Sequence, residues 1–93
     1  MAEKVNIVIP AIKVDDELLK CLKELNKINY SNFFVTIVLD YQGKNKLPKF
    51  KYKINKLIVG KINMSKKRNM AVKKFKSKYI AFIDSDAYPN KNW

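Results

Sequence analysis

The chain has 93 residues, with 20 Lys or Arg against 8 Asp or Glu, and a formal charge of +12. This length suits one small domain spanning residues 1–93, which buries roughly 60–65% of the surface that its unfolded chain exposes. The apolar and aromatic content argues against disorder, and neither a membrane-spanning run nor a signal peptide is evident. The single cysteine, Cys21, agrees with a reducing compartment, so we expect a cytoplasmic protein.

The first half of the chain predicts a strand, a helix and a second strand. Residues 5–9 are an apolar run typical of a buried strand, which we expect to end at Pro10 because proline cannot continue a central ladder. The acidic residues 15–17 favour a helix start. An apolar stripe at helical spacing follows them, formed by Leu18, Leu22, Leu25 and Ile28 with Leu19 and Cys21 alongside. Residues 33–39 predict a second buried strand ending at Asp40, which completes a right-handed βαβ unit.

The second half predicts a loop, two more strands and another helix. Residues 41–53 are polar and read as a loop, whereas residues 54–59 predict a third strand. Asn63 or Ser65 can cap the second helix, whose predicted inner face consists of Met64, Ala71, Val72 and Phe75. Residues 78–83 predict a fourth strand. The order β-α-β-β-α-β predicts an α/β fold with a mostly parallel four-stranded sheet covered by helices.

The excess of lysine has two explanations, and the sequence leaves both open. A charge of +12 suits a polyanionic partner such as nucleic acid, anionic lipid or a phosphorylated ligand. All but one of the basic residues are Lys, however, and Lys, Asn and Ile share A/T-rich codons, so genome composition alone could produce the same profile. Lys66, Lys67 and Arg68, at the predicted start of the second helix, either attract an anion or form a solvated helix face. Arg68 stands out as the only guanidinium.

Two carboxylates after the fourth predicted strand mark a candidate site. Asp84 and Asp86 are the only acidic side chains between residues 41 and 93, a stretch with fifteen Lys or Arg. Side chains two apart on an extended chain face the same way, so the pair can converge on Mg²⁺ or Mn²⁺ with substrate phosphates. The alternative is that they cap a turn. Pro10 and Asp40 fall at the same predicted carboxyl edge, where open α/β sheets bind ligands.

Missing residue types exclude several kinds of chemistry. Because the chain has no His, a Ser-His-Asp triad, a histidine general base and His-ligated zinc are all ruled out. Gly43 and Gly60 are the only glycines, so neither a Walker A loop nor a Gly-x-Gly-x-x-Gly fingerprint exists. Phe50 and Tyr52 among lysines could suit single-stranded nucleic acid. This signal is weak, and we expect no specific nucleic-acid partner.

The order and spacing of these segments resemble family 2 glycosyltransferases of the GT-A fold. Val5-Asn6-Ile7-Val8-Ile9-Pro10 is similar to the family's opening strand, and Ile37-Val38-Leu39-Asp40 to its second strand with a terminal acid. Arg68-Asn69, within residues 65–71, resembles the helix start that usually carries Arg-Asn. Residues 79–89 resemble the strand with the DxD motif, and Trp93 follows downstream.

The resemblance implies a Rossmann-like N-terminal half that binds a nucleotide-diphospho-sugar, above all a UDP-sugar, for metal-dependent transfer to an unknown acceptor. It places the nucleotide against Pro10, Ala11, Ile12, Asp40, Arg68 and Asp84. It assigns Mn²⁺ or Mg²⁺, bridging the diphosphate, to Asp86 with Asp84. Two departures bear on which base is bound: Ala11-Ile12-Lys13 stands where the family often has Thr-Tyr-Asn, and Tyr41 replaces a frequent second acid.

Family members are longer, and their acceptor site and catalytic base lie after the DxD motif. We therefore expect this chain to be the donor-binding portion, truncated before the acceptor half, with the base beyond Trp93 and no transfer activity by itself. Two alternatives stay open. One is a non-catalytic basic α/β domain that binds nucleotides or polyanions, and the other is a structural fragment completed by oligomerisation. Peripheral association with the inner face of the membrane is compatible with the basic charge.

Overall fold

The computed structural model of the chain describes residues 4–27 and 32–83. Its elements in chain order are β1 (Val5–Ala11), α1 (Asp16–Leu25), β2 (Phe33–Leu39), β3 (Lys53–Ile58), α2 (Met64–Lys74) and β4 (Tyr79–Phe82). The strands form one sheet in the order β3-β2-β1-β4, and each pairing is parallel. The predicted α/β fold and the β-α-β-β-α-β order are confirmed. β2 has the predicted bounds, and β3 and β4 differ from theirs by one residue at each end.

The first strand does not end at Pro10 as predicted but continues to Ala11, which pairs with Leu39. The Val5 N–H donates towards β2, to the Asn32 carbonyl, and the Ile83 N–H donates from the other side to the Val8 carbonyl. The backbone groups of Val5 and of every second residue after it therefore face β2, whereas those of the residues in between, including Val8, face β4. Pro10 shares the direction of Val8, so its missing N–H faces the side of β4, beyond the last residue of the β4 ladder. The ladder with β2 is left intact.

Each helix begins at a side chain that accepts a hydrogen bond from one of its free N–H groups. The Asp15 carboxylate accepts a hydrogen bond from the Leu18 N–H at 2.9 Å at the start of α1. Asn63, one of the two predicted candidates, caps α2 by accepting from the Lys66 N–H at 2.9 Å. In the part of the chain that the structure describes, neither helix combines the length and apolar character needed to cross a bilayer.

The helices cover opposite faces of the sheet, because side chains alternate along each strand. On one face α1 buries Leu18, Cys21, Leu22 and Leu25 against a core that includes Ile7, Ile9, Ala11, Val35, Ile37 and Leu39. The predicted apolar stripe of α1 is confirmed at these positions, whereas Ile28 lies outside the described residues. On the other face, Ala71 of α2 packs against Val8 and Val38.

The inner face of α2 differs from the prediction. Ala71 is fully buried, and Val72 and Phe75 are half-buried, but Met64 is 43% exposed. Lys67, four residues before Ala71 and on the same side of the helix, is buried in its place. The prediction that Met64 belongs to the inner face is therefore wrong.

Candidate functional site

The chain segments that leave β1 and β2 are tied together at the carboxyl edge of the sheet. The Ile12 carbonyl accepts hydrogen bonds from the N–H groups of Asp40, at 2.9 Å, and Tyr41, at 3.1 Å. Asp40 is the first residue after β2, and its side chain is 15% exposed. Of the predicted nucleotide-binding residues, the structure thus brings Ala11, Ile12 and Asp40 into one place.

A buried lysine joins α2 to this edge. Lys67 is only 3% exposed, and its ammonium group donates a hydrogen bond to the Ala11 carbonyl at 2.9 Å. The same ammonium group forms an ion pair with Oδ1 of Asp40. Burying a cation is costly unless an anion and hydrogen-bond acceptors replace water, and here one carboxylate and one carbonyl do so. Lys67 therefore connects α2, β1 and the residue after β2 at a single point.

The role of Lys67 was not predicted from the sequence, which left Lys66 and Lys67 together as an attraction for anions or as a solvated helix face. Lys66 is exposed, but Lys67 is neither exposed nor available to a ligand. The spacing carried a usable signal, because Lys67 lies four residues before the apolar Ala71 and so shares its inward face. A buried lysine needs an anion to offset its charge, and Asp40 directly follows β2.

A cleft of about 460 Å³ opens between the segments that follow β1 and β2; it is lined by Lys13, Val14, Tyr41, Gly43, Lys44 and Asn45. Its walls are hydrogen-bonded to each other. The Val14 N–H donates to the Gln42 carbonyl at 3.3 Å, and the side-chain amide of Asn45 donates to the Val14 carbonyl at 3.0 Å. Gly43 has φ +79°, and a Cβ there would lie 3.2 Å from Cβ of Lys13. Glycine thus permits both the turn and the close approach of the two walls.

The three residues predicted to line the nucleotide after β1 are not equally accessible. The side chains of Pro10 and Ala11 are buried, and Ala11 faces the α1 core. Ile12 is 59% exposed, and Lys13 is exposed beside the cleft. A ligand at this edge can therefore meet the side chains of Ile12 and Lys13, but Pro10 and Ala11 only through their backbone atoms.

The two helices begin at this same edge, because a crossover helix starts where its preceding strand ends, but their N-termini differ in charge. The first turn of α1 carries Asp16 and Glu17 after the Asp15 cap. The first turn of α2 has no acidic residue and includes Lys66. A helix N-terminus attracts anions through its free N–H groups and its dipole. The start of α2 therefore suits a phosphate group, and the start of α1 does not.

The side chain of Arg68, a residue of α2, reaches the end of β4. It is half-buried, and its guanidinium carbon lies 5.5 Å from the centre of the Phe82 ring, which is the last residue of β4. Stacking over an aromatic face is a favourable setting for a guanidinium. Because Phe82 precedes Asp84 by two residues, Arg68 lies next to the strand that leads into the two predicted metal ligands.

Asp84 and Asp86 lie outside the described residues, which end at the buried Ile83. Within residues 4–27 and 32–83, no group of three or more His, Cys, Asp or Glu side chains could hold a metal ion. The assignment of a metal to Asp84 and Asp86 stays a prediction, as do the ligand contacts assigned to the other site residues.

The chain is similar to one protein family and to a set of solved structures. The sequence profile of glycosyl transferase family 2 matches residues 6–93. The structure of residues 1–349 of TarS from S. aureus superposes with a TM-score of 0.75 and 26% identity, covering 95% of this chain and 29% of that chain. The complexes of the same TarS fragment with UDP and with UDP-GlcNAc also give 0.75 and 26%, covering 29% and 28% of those chains. This chain thus spans less than a third of the TarS fragment, and curated protein sequences give no match.

Proposed function

This chain belongs to glycosyl transferase family 2, and we propose that it binds the nucleotide-diphospho-sugar donor of a glycosyltransferase. The observation that carries the proposal is the joined carboxyl edge of β1 and β2, where Asp40 is partly exposed and the cleft of about 460 Å³ opens. Open α/β sheets bind their ligands at such an edge. TarS has been solved with UDP and with UDP-GlcNAc, which supports a UDP-sugar as the donor here.

We place the base of the nucleotide at the cleft beside Asp40. An ionised carboxylate can only accept hydrogen bonds, so Asp40 suits a base edge that presents an N–H group, such as N3–H of uracil. Tyr41 and Lys13, which line the cleft, offer an aromatic surface and an aliphatic stem for the flat ring. The base is thus held by groups from both tied segments.

We place the diphosphate towards the start of α2. That helix end combines free N–H groups, no acidic side chain in its first turn, and the nearby cation of Arg68. Lys67 is excluded from this role, because its ammonium group is already bound to Ala11 and Asp40. Arg68 and the helix N-terminus are therefore the groups proposed to orient the phosphates.

The proposed metal is Mn²⁺ or Mg²⁺, held by Asp86 with Asp84 in the segment after β4. Two carboxylates two residues apart fit such a hard cation, which prefers oxygen ligands and accepts substrate phosphates in its shell. When bound, the ion would neutralise the charge that develops on the diphosphate leaving group. We assign no catalytic base among the described residues, and we propose that this chain binds the donor without transferring the sugar by itself.

The test is a calorimetric titration with UDP, with and without Mn²⁺, on the unaltered chain and on Asp86→Ala. Asp16→Ala is the matched control, since it removes an exposed carboxylate from the first turn of α1. We expect UDP binding that depends on Mn²⁺, is lost in Asp86→Ala and survives in Asp16→Ala. If all three proteins instead bind UDP, DNA and heparin equally and with the same salt sensitivity, the chain is a basic polyanion-binding domain and the proposal is wrong.

A further inference from the structure

We propose that Lys67 is a positioning residue that holds the Asp40 carboxylate from inside the fold, so that its outward atoms meet the nucleotide base and favour uracil over cytosine. The inference rests on the proposed function and adds to it a residue that does not touch the donor. Three features of the structure carry it: the burial of the pair, the two anchors of the ammonium group, and the backbone bond of Asp40.

The two partners of the ion pair differ in exposure to solvent, and Asp40 is the more exposed. The Lys67 side chain is 4% exposed, the Asp40 side chain is 15% exposed, and Oδ1 of Asp40, the atom that faces Lys67, is itself buried. The exposed part of the Asp40 side chain therefore lies on its other atoms, at the carboxyl edge. One oxygen of Asp40 pairs with Lys67 inside the fold, and the other atoms of the carboxylate remain accessible to a ligand.

Lys67 itself cannot follow Asp40 if the carboxylate turns away. Its ammonium group is also bound to the Ala11 carbonyl at 2.9 Å, so its position is fixed by β1. If Asp40 adopted another rotamer, a buried ammonium group would lose its anion, which is strongly unfavourable. The conformation of Asp40 is thus set by a cation in the interior.

The backbone of Asp40 is held as well, because its N–H donates to the Ile12 carbonyl at 2.9 Å. With its N–H and one carboxylate oxygen both bound, the side chain has little freedom left to lose when a ligand arrives. Groups ordered before binding cost less to order on binding, and this raises affinity. Asp40 is therefore a preorganised hydrogen-bond acceptor.

A fixed carboxylate distinguishes between pyrimidines. Uracil presents an N–H donor at N3, whereas cytosine presents a lone pair there and would face the negative charge of Asp40. A carboxylate free to rotate could avoid that contact, but one held by Lys67 cannot. The preference for uracil over cytosine should therefore depend on Lys67, although Lys67 itself contacts neither base.

The chain supplies a matched control at the adjacent position. Lys66 is also a lysine near the start of α2, but its side chain is exposed, and the hydrogen bond that caps the helix involves its backbone N–H. Lys66→Met and Lys67→Met change the net charge by the same amount. A difference between these two variants therefore reports the interior contact and not the overall charge.

The experiment measures the affinities of UDP, CDP and inorganic pyrophosphate, each with Mn²⁺, for the 93-residue chain and for Lys67→Met and Lys66→Met. We expect Lys67→Met to bind UDP about tenfold more weakly, equivalent to losing one hydrogen bond to a charged group. The ratio of UDP to CDP affinity should fall with it. Binding of pyrophosphate to Lys67→Met should be unchanged, and Lys66→Met should keep the original ratio of UDP to CDP affinity.

A folded Lys67→Met protein with an unchanged ratio of UDP to CDP affinity would overturn the inference, as would an equal loss for all three ligands. Circular dichroism checks the fold, and Lys67→Gln replaces Lys67→Met if the latter does not fold. If neither variant folds, Lys67 has a purely structural role and the inference is wrong. Failure of the unaltered chain to bind UDP is a separate result, since it contradicts the proposed function itself.

Discussion

At the level of single residues, replacing Asp40 should destabilise the fold more than replacing Lys67. In Asp40→Asn, the ammonium group of Lys67, whose side chain is 4% exposed, loses its anion, which should lower the free energy of unfolding by about 3 kcal/mol. In Lys67→Met, the carboxylate left behind can recover water through its exposed side, and methionine fills the vacated space. That loss should be smaller, about 1 kcal/mol. Urea denaturation of both variants measures the difference.

The double variant extends this comparison. Removing both charges leaves no buried ion without a partner, so Asp40→Asn with Lys67→Met should be more stable than Asp40→Asn alone. Equal losses in the two single variants, together with simple additivity in the double variant, would show that the pair is not coupled as the burial indicates.

Tyr52 provides a prediction for alkaline pH. Its hydroxyl group donates to the Leu22 carbonyl at 2.6 Å, and burial, with a further contribution from nearby Cys21, raises the pKa of Tyr52 well above its ordinary value. The fold therefore prefers the neutral phenol, so this stability is fully present below about pH 10 and is lost progressively as the pH rises further. Unfolding free energies measured from pH 7 to 12 should show this decline.

Tyr52→Phe separates that decline from the titration of the many lysines. The variant should lose about 1 kcal/mol at pH 7, because one buried hydrogen bond is missing, and should depend less steeply on pH above 10. Tyr41→Phe is the matched control, since Tyr41 is 50% exposed. If Tyr52→Phe and Tyr41→Phe show the same alkaline decline as the unaltered chain, the burial of Tyr52 does not govern it.

At the scale of elements, α2 is held near both of its ends by asparagine side chains. Asn63 caps its start, and Asn6 of β1 donates to the carbonyl of Phe75, just after its last turn, at 2.9 Å. Asn6 is itself fixed by the Thr36 hydroxyl, which donates to it at 2.8 Å. These contacts hold the helix in register with the sheet and so place Lys67 beneath Asp40.

Removal of the α2 cap should have a measurable cost. Asn63→Ala should lower the free energy of unfolding by about 1 kcal/mol, because the Lys66 N–H loses its acceptor. Ser65→Ala, at the other position that the sequence offered as a cap, should have almost no effect, since Ser65 lies within the first turn. Chemical denaturation compares the two variants, and a larger loss for Ser65→Ala would contradict the assigned cap.

Some features of the helices and strands were predictable from the sequence, and others were not. α1 and β2 were predicted well because their apolar patterns reflect burial directly. The extent of β1 was missed because the neighbour that the Pro10 nitrogen faces depends on the sheet order, which local pattern does not reveal. The burial of Lys67 was missed because the anion that stabilises it, Asp40, lies 27 positions earlier in the chain. Local pattern thus predicted the fold, whereas the interior of the site depended on contacts between distant residues.

At the scale of the whole molecule, positive charge does not by itself identify the site. A second basic cleft, of about 250 Å³, lies at the opposite edge of the sheet, lined by Lys4, Phe34, Lys53, Asn55, Phe75 and Lys76. A generic polyanion would be attracted to both edges of a chain with a charge of +12. A nucleotide-sugar donor should occupy the carboxyl edge alone, because Asp40, the cleft of about 460 Å³ and the start of α2 all lie at that edge.

The most direct test of the donor-binding claim is an NMR titration of the ¹⁵N-labelled chain with UDP and Mg²⁺. We expect the amide resonances of Ile12, Lys13, Tyr41 and Gly43 to shift in a saturable way, and those of Lys4 and Lys53 at the opposite edge to stay unchanged. Shifts spread over lysines at both edges, or absent from the carboxyl edge, would contradict the claim.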